Sequence, residues 1–481
     1  MALYGGGNTS LKTTWLEANG ARRPCLLVKG SGNDLAEVSA ADFAPVDLAA
    51  ARALLRGPEP DDHALKEALL NLRLDPVAPR PSIETLMHAA LPYRYVEHTH
   101  ADAVLALVNT EGGEALARQV FGARAPLVPF RQSGFALAAA CADTWTRDAT
   151  PATEGLLLAF HGVVAGGDTA RESFDRLYGL AGLATEHLRR REAWTLPREP
   201  APARTLEGAL RLARLRSALS REAGFPVVTC VDDSPEAVAF CRRTDLDPIA
   251  LQGPPTPQHA VFTKRLPCLG GDVAAYARAY RDYAWLHGGG LPAARVPDAA
   301  PRVVLLPDLG VVAASVDGRH ARMTATVYHH DLAIATRASA HDRYRSLPAA
   351  DILAAEVHYG GFDRARLERR GDDLPLLGCV VGLAAMADRG TAEALAQRLV
   401  DLGADLLWLD RPQAALDAAW SCGGLDALLQ PVTGARAPEG AEALLQVSSG
   451  GGFVAALDAD RDSLTASLVR HWRAVTGVSA P

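Results

Sequence analysis

Lysine is nearly absent from this 481-residue chain: Lys12, Lys29, Lys66 and Lys264 are the only four among 49 basic side chains. A lysine inside a glycine-rich loop is therefore conspicuous. Basic residues are also outnumbered by 56 acidic ones, giving a formal net charge of −7. That balance removes the electrostatic case for nucleic acid or an anionic membrane surface as a partner. No apolar run approaches the roughly 18 residues needed to cross a bilayer. The opening MALYGGGNTS lacks the charged-then-apolar layout of a secretory signal. Seven cysteines (Cys25, Cys141, Cys230, Cys241, Cys268, Cys379, Cys422) are scattered without a CxxC pair. They read as small buried residues in a reducing compartment, not as a disulfide framework or a zinc knuckle. The expectation is a soluble cytoplasmic protein, too long for a single core and divided into about two to four domains.

Two composition shifts mark boundaries. TLPREPAPART, 195–205, is rich in proline and charge and reads as a linker. At RRGDDLPLLG, 369–378, charge gives way to the apolar LLGCVVGLAAM. The predicted organisation is a domain over 1–194, a linker over 195–205, a middle α/β region over 206–372 and a last domain over 373–481. Within the first, GLLLAFHGVVAGG reads as two short strands around a His-Gly turn, and DTARESFDRLYGLAGLATEHL as an amphipathic helix capped by Asp168. In the middle region, DDSPEAVAF predicts a helix starting at Ser234. In the last, CVVGLAA, TAEALAQRLVDLG and ADLLWLD alternate strand, helix and strand, the spacing of a βαβ unit with a parallel sheet.

The chemistry concentrates in VEHTHADAVLAL, 96–107. In a strand, alternate side chains share a face, so His98 and His100 point to one spot, with Asp102 next in step. Taken alone, the pair reads more readily as two surface histidines on a polar strand end. Two features add to it. Upstream, RPSIETLMHAALP places Glu84 near the start of a short helix that Ser82 caps and Pro92 ends. Downstream, His161 closes an apolar strand just before glycines. Three neutral imidazoles leave a position open on zinc, the pattern of a catalytic site, and a nearby carboxylate supplies a base. GGGNTSLK, 5–12, and VKGSGNDL, 28–35, each offer backbone N–H groups, hydroxyls and a lysine to a phosphate.

In order and spacing, GGGNTS, KGSG, PSIET with His88, HTHADA, PFRQSGFALA and HGVVAGGDTARESFD resemble the class II aldolase/adducin family. They are most similar to the aldolase half of bifunctional rhamnulose-phosphate aldolase/short-chain dehydrogenase proteins. The resemblance covers roughly residues 5–190. It implies a class II aldolase-like α/β/α domain, with His98, His100 and His161 as ligands of Zn2+ or another divalent metal. Glu84 would be the carboxylate that takes the proton beside the ketose carbonyl. Asn8, Thr9, Ser31, Gly32 and Ser82 would surround the phosphate. Ile83 stands where many members carry a second serine, Ser133 replaces a frequent proline, and Phe160 a frequent asparagine. The chain also begins at the first glycine loop, without the helix expected before it. His88, one turn after Glu84, reads either as an outer partner of the site or as an ordinary helix-face histidine.

The last domain resembles a truncated short-chain dehydrogenase, a Rossmann-like fold with its chemistry eroded. The three small residues of the dinucleotide turn fall on Met386, Gly390 and Ala392, so one glycine remains, and Met386 opposes close approach of a pyrophosphate. Asp410 keeps the place of the ribose-binding acid. The Tyr-x-x-x-Lys pair is missing, because Tyr359 and Lys264 are the last tyrosine and lysine. Gly390 and Asp410 are thus vestigial, NAD is not expected, and packing or oligomerisation is the remaining role. In the middle region, His259 and Lys264 are weak candidates for an anion. The resulting expectation is a zinc-dependent aldolase acting on a small sugar phosphate such as rhamnulose 1-phosphate. By resemblance it is a homo-oligomer, with no nucleic-acid or membrane partner. Alternatives are a sugar-phosphate epimerase, a non-catalytic assembly protein and, least, an active dehydrogenase.

Overall fold

The computed structural model describes residues 3–289, 296–359, 367, 373–384, 389–411, 413–430, 440–447, 452–456 and 461–476. The chain forms two compact units, Met1–Leu196 with Ala333–Leu347, and Pro197–Leu332 with Pro348–Pro481.

The first unit is built on a seven-stranded sheet. Its strands are β1 (Asn8–Leu16), β2 (Arg22–Lys29), β3 (Phe43–Asp47), β4 (Tyr95–Thr99), β5 (Leu127–Val128), β6 (Gly155–Leu158) and β7 (Gly162–Gly167), in the order β3-β2-β1-β4-β7-β6-β5. All neighbours are antiparallel except β5 and β6. Helices Leu48–Leu55, Thr85–Ala90 and Phe135–Asp148 close one apolar core over the sheet, through Leu86, Met87, Leu137 and Ala138 against Leu26, Val96, Leu156 and Val164. The strand residues of alternate parity, Leu157, Val163 and Ala165, are equally buried, and helix Ala170–Arg190 packs along β4 and β7. That helix starts one residue later than expected. Thr169, not Asp168, is its cap, accepting from the Glu172 N–H at 3.1 Å, while the Glu172 carboxylate accepts from the Asp168 N–H at 2.9 Å. The Thr-x-x-Glu spacing satisfies two orphan donors at once, which a cap at Asp168 would not.

Residues 333–347, read from composition as belonging to the middle region, belong to this first unit. The Asp342 carboxylate accepts from the Gly112 N–H at 2.7 Å, the Arg345 N–H reaches Asn109 O at 2.9 Å, and Arg337 stacks on Trp194 with its guanidinium 4.1 Å from the ring centre.

Among the described residues, the second unit holds two sheets. One contains β8 (Val228–Asp232), β9 (Cys268–Leu269), β10 (Val303–Leu306) and β11 (Gly310–Ser315), ordered β8-β11-β10-β9. The other contains β12 (Val380–Ala384), β13 (Asp405–Leu409), β14 (Ala427–Gln430) and β15 (Phe453–Ala456), ordered β13-β12-β14-β15 and parallel throughout. Helices Arg389–Asp401, Ala414–Cys422 and Ala441–Val447 lie between successive strands, so the alternating pattern gives a Rossmann-like sheet. The composition break at 369–378 does not separate one core from another, however. Helix Leu206–Ala223 shares one apolar cluster with Val380, Trp420, Leu428 and Leu444. Within it, Arg216 grips Asp426 through two bonds, of 2.6 and 3.2 Å. Composition records exposure of charge, whereas a core is defined by which apolar faces meet. The segment read as a linker has no regular structure over 197–204, but it is not loose. Arg198 pairs with Glu236, Glu199 with Arg242, and Arg204 with both Asp233 and Asp417.

Among the described residues, no helix is long and apolar enough to cross a membrane.

Candidate metal centre

Antiparallel pairing of β1, β4 and β7 assembles the site. Asn8 lies opposite His98, and His98 opposite Val164. His161 sits in the turn between β6 and β7, after Phe160 at φ 54°. Gly162 makes the approach possible: a Cβ there would lie 2.2 Å from Thr99 O, so only glycine lets this turn settle against the end of β4. His100 falls just beyond β4 and still converges, because the chain has not yet entered helix Asp102–Val108. The ligand nitrogens of His98, His100 and His161 all lie within 4.8 Å of one another, and the three rings are buried. Asp102 leaves the set, since the helix turns its carboxylate toward Arg337, 3.9 Å away.

The donor set fits a divalent metal such as zinc. His98 Nδ1 donates to Val163 O at 3.0 Å, which leaves Nε2 as the bare nitrogen, buried and without a hydrogen bond. Burial pushes the His98 pKa down to about 4, so the ring is neutral and able to ligate. A buried imidazole held by a backbone carbonyl, with its other nitrogen facing two more imidazoles, is the arrangement of an oriented metal ligand.

Glu84 is the N-cap residue of helix Thr85–Ala90. Its Oε1 lies 2.9 Å from His161 Nε2 and its Oε2 3.6 Å from His98 Nε2. Burial opposes its charged form, whereas the neighbouring His98 and His161, the latter hydrogen-bonded to it, favour that form and hold the carboxyl well below the usual range. Ser133 Oγ donates to Oε1 at 3.2 Å and Asn8 Nδ2 to Oε2 at 2.6 Å. Charge-assisted bonds of this kind fix an ionised carboxylate.

The residues assigned to phosphate divide. The two glycine loops do meet: a Cβ on Gly5, at φ +84°, would stand 3.2 Å from Gly32 backbone atoms. Ser31 and Gly32 are exposed there, although the Ser31 N–H is taken by Arg80 O at 2.8 Å. Ser82 Oγ accepts from the Glu84 N–H and from Asn8 Nδ2, both at 3.2 Å. Asn8 is thus engaged with Glu84 and Ser82. Thr9 sits on the other face of β1, opposite Glu97. Neither lysine is offered to a ligand. The Lys29 ammonium donates to Asn33 O at 2.6 Å, with Gly30 O and Gly5 O at 3.3 and 3.4 Å, and Lys12 donates to Tyr93 O at 2.6 Å. They clamp loops and strands because buried carbonyls need donors.

Two partners escaped the sequence reading. Ser133 bonds Glu84 directly. Ser10 bonds His88 Nδ1 at 2.7 Å, and the available signal was its place two residues after Asn8 on the same face of β1. His88 is fully buried, which selects the outer-partner reading.

In the second unit, Lys264 is buried, donates to Asp298 O and Ala300 O, and lies 4.3 Å over the Tyr280 ring. His259 pairs with Asp331 at 2.5 Å. Lys264 therefore belongs to the packing and is not an anion ligand. Gly390 lies in helix Arg389–Asp401, Asp410 is exposed after β13, and Met386 is outside the described residues.

Comparison with known proteins gives two family matches. Residues 1–188 match the class II aldolase and adducin N-terminal domain, and residues 207–367 match the class II aldolase second domain. An uncharacterized oxidoreductase of Bacillus subtilis strain 168, YuxG, is 28% identical over 370 residues, which is 72% of this chain and 52% of that protein. The chain thus spans about half the length of the curated relative it matches. Among solved structures, the N-terminal class II aldolase domain of a conserved Thermoplasma acidophilum protein is 32% identical. That match covers 39% of this chain and 86% of the other, with a TM-score of 0.37. YgbL of Escherichia coli, a putative aldolase/epimerase/decarboxylase, is 23% identical, with 38% and 79% covered and a TM-score of 0.27. Through its two matched domains, the chain belongs to the class II aldolase/adducin family.

Proposed function

We propose that this protein is a divalent-metal-dependent aldolase. Its substrate is a ketose 1-phosphate of the rhamnulose 1-phosphate type, cleaved to dihydroxyacetone phosphate and an aldehyde. One observation carries the reading: a buried carboxylate, Glu84, lies beside three converging, buried imidazoles. His98, His100 and His161 would hold the ion, most readily zinc, which when bound supplies the positive charge that polarises the substrate carbonyl. The remaining work falls to the chain itself. Cleavage breaks the Cα–Cβ bond: the β-hydroxyl gives up its proton as it becomes the aldehyde carbonyl, and the α-carbon left behind gains one; in condensation both transfers reverse. Glu84 is the group suited to hold the proton of the α-carbon, being fixed by Asn8 and Ser133 from two sides. The exposed Ser31–Gly32 loop, with Ser82, offers itself to the non-reacting phosphate end, where binding positions the reacting end.

The Rossmann-like sheet is proposed as a packing element, because Val380 and Leu428 of its strands share an apolar cluster with helix Leu206–Ala223. A homo-oligomeric state in a cytoplasmic setting completes the proposal. The test is dihydroxyacetone phosphate release from rhamnulose 1-phosphate by untreated, chelated and zinc-restored protein. Release that disappears with chelator and returns with zinc is expected. No release from folded, zinc-loaded protein overturns this substrate.

A further inference from the structure

The buried polar groups behind Glu84 form one continuous chain of hydrogen bonds through Asn8 and His88 to Ser10. The Asn8 amide nitrogen donates to Glu84 Oε2 at 2.6 Å and lies 3.2 Å from Ser82 Oγ. The Asn8 oxygen therefore faces the other way, toward His88 Nε2, with which it is in hydrogen-bond contact. An oxygen acceptor requires Nε2 to carry the proton. Burial pushes the His88 pKa down to about 3, so the ring holds one proton only, and Nδ1 is bare. Ser10 Oγ, 2.7 Å away, then donates to Nδ1. Every member is buried: Ser10 and Asn8 share a face of β1, and His88 lies one helical turn after Glu84.

We infer that His88 is a positioning residue, which holds the Asn8 amide with its NH2 toward Glu84 and thereby fixes the carboxylate in place beside the metal-ligating histidines. His88 touches no reacting atom. Without its Nε2–H, the Asn8 oxygen loses its donor, and the amide is free to turn and set an oxygen against the carboxylate. The fold needs no such device. A leucine of similar volume in this apolar helix face would serve the core, yet a histidine, an asparagine and a serine are buried together here, at a desolvation cost that only complete pairing offsets.

This inference rests on the aldolase reading for its kinetic arm alone. The first measurement is the ring-15N spectrum of histidine-labelled wild-type protein, with the His88 signals identified by their loss in His88→Leu. The expected result is a single Nε2–H tautomer that shifts toward a tautomer mixture in Ser10→Ala. An Nδ1–H tautomer in the wild type overturns the inference whether or not the protein is an aldolase. The second measurement compares His88→Leu and His88→Gln, both checked for zinc content and thermal unfolding. With zinc bound, His88→Leu is expected to lower kcat by roughly 100-fold with little change in KM, the scale of a misplaced catalytic group. His88→Gln, which keeps a donor toward Asn8, is expected to recover most of it. Equal kcat in wild type and a folded, zinc-loaded His88→Leu overturns the positioning role. If wild type itself cleaves no ketose phosphate, the substrate proposal fails, and the tautomer result still decides the relay.

Discussion

Two clusters of buried charge, one in each unit, solve the same problem in opposite ways. In the second unit, Arg216 meets Asp426 face to face, and its remaining donors reach Val227 O and Gly378 O at 2.6 and 2.8 Å. Asp426 also accepts from the Val380 N–H at 2.9 Å. The charges satisfy one another and nothing is left to bind. Around Glu84, the supporting polar groups are paired as well, but the imidazole nitrogens converge on one point, and His98 Nε2 makes no hydrogen bond. A buried cluster whose imidazole nitrogens face one another is able to hold a cation, whereas one closed by its own ion pair is a piece of core.

Removing ligands tests this contrast most sharply. His98→Ala or His100→Ala should leave a folded protein with little bound zinc by elemental analysis and no aldolase activity. Full metal content in both variants would break the assignment. Glu84→Gln comes next. It should retain zinc while lowering kcat by roughly 10²–10⁴-fold, the range of general acid–base catalysis. A Gln variant as active as wild type would move the proton transfer to another group. Arg216→Met probes the closed cluster and should destabilise by about 3–5 kcal/mol in urea unfolding, because Asp426 is left charged and unpaired. The double variant Arg216→Met/Asp426→Leu should recover most of that loss, and zinc content should not change in either. A single variant as stable as wild type would show the pair to be dispensable.

The smallest effect concerns Asp298. Burial raises its pKa, but Arg302 and Lys264 outweigh burial and leave it far below the usual range. A depressed folded-state value means stability present above the unfolded value, near 4, and lost as pH falls through the folded value. The urea midpoints of wild type and Asp298→Asn should therefore differ at pH 7 and converge as the medium is acidified. A gap that widens in acid would reverse the sign.

Much of the fold was readable from local pattern. The His-Gly turn of β6 and β7, the Ser234-capped helix and the strand–helix alternation after residue 380 rest on periodicity and caps, which act over a few residues. His98, His100, His161 and Glu84 were visible because histidines and a carboxylate in apolar surroundings are costly without a use. The return of 333–347 to the first unit and the common core of 206–332 with the last sheet were not visible, since packing partners far apart in sequence leave no mark on local composition.

The phosphate loops show the division most plainly. The residues alone placed glycines, hydroxyls and lysines in two loops, and those same residues determined that the loops can turn tightly. Tertiary structure decided where each polar atom points: Lys29 into three carbonyls, Asn8 onto Glu84, Thr9 to the far face of β1, His88 into the relay from Ser10. Residue type sets what a side chain is able to donate or accept. Only the sheet register and the burial around it settle which partner stands within 3 Å, and a buried donor bonds whatever the fold places there.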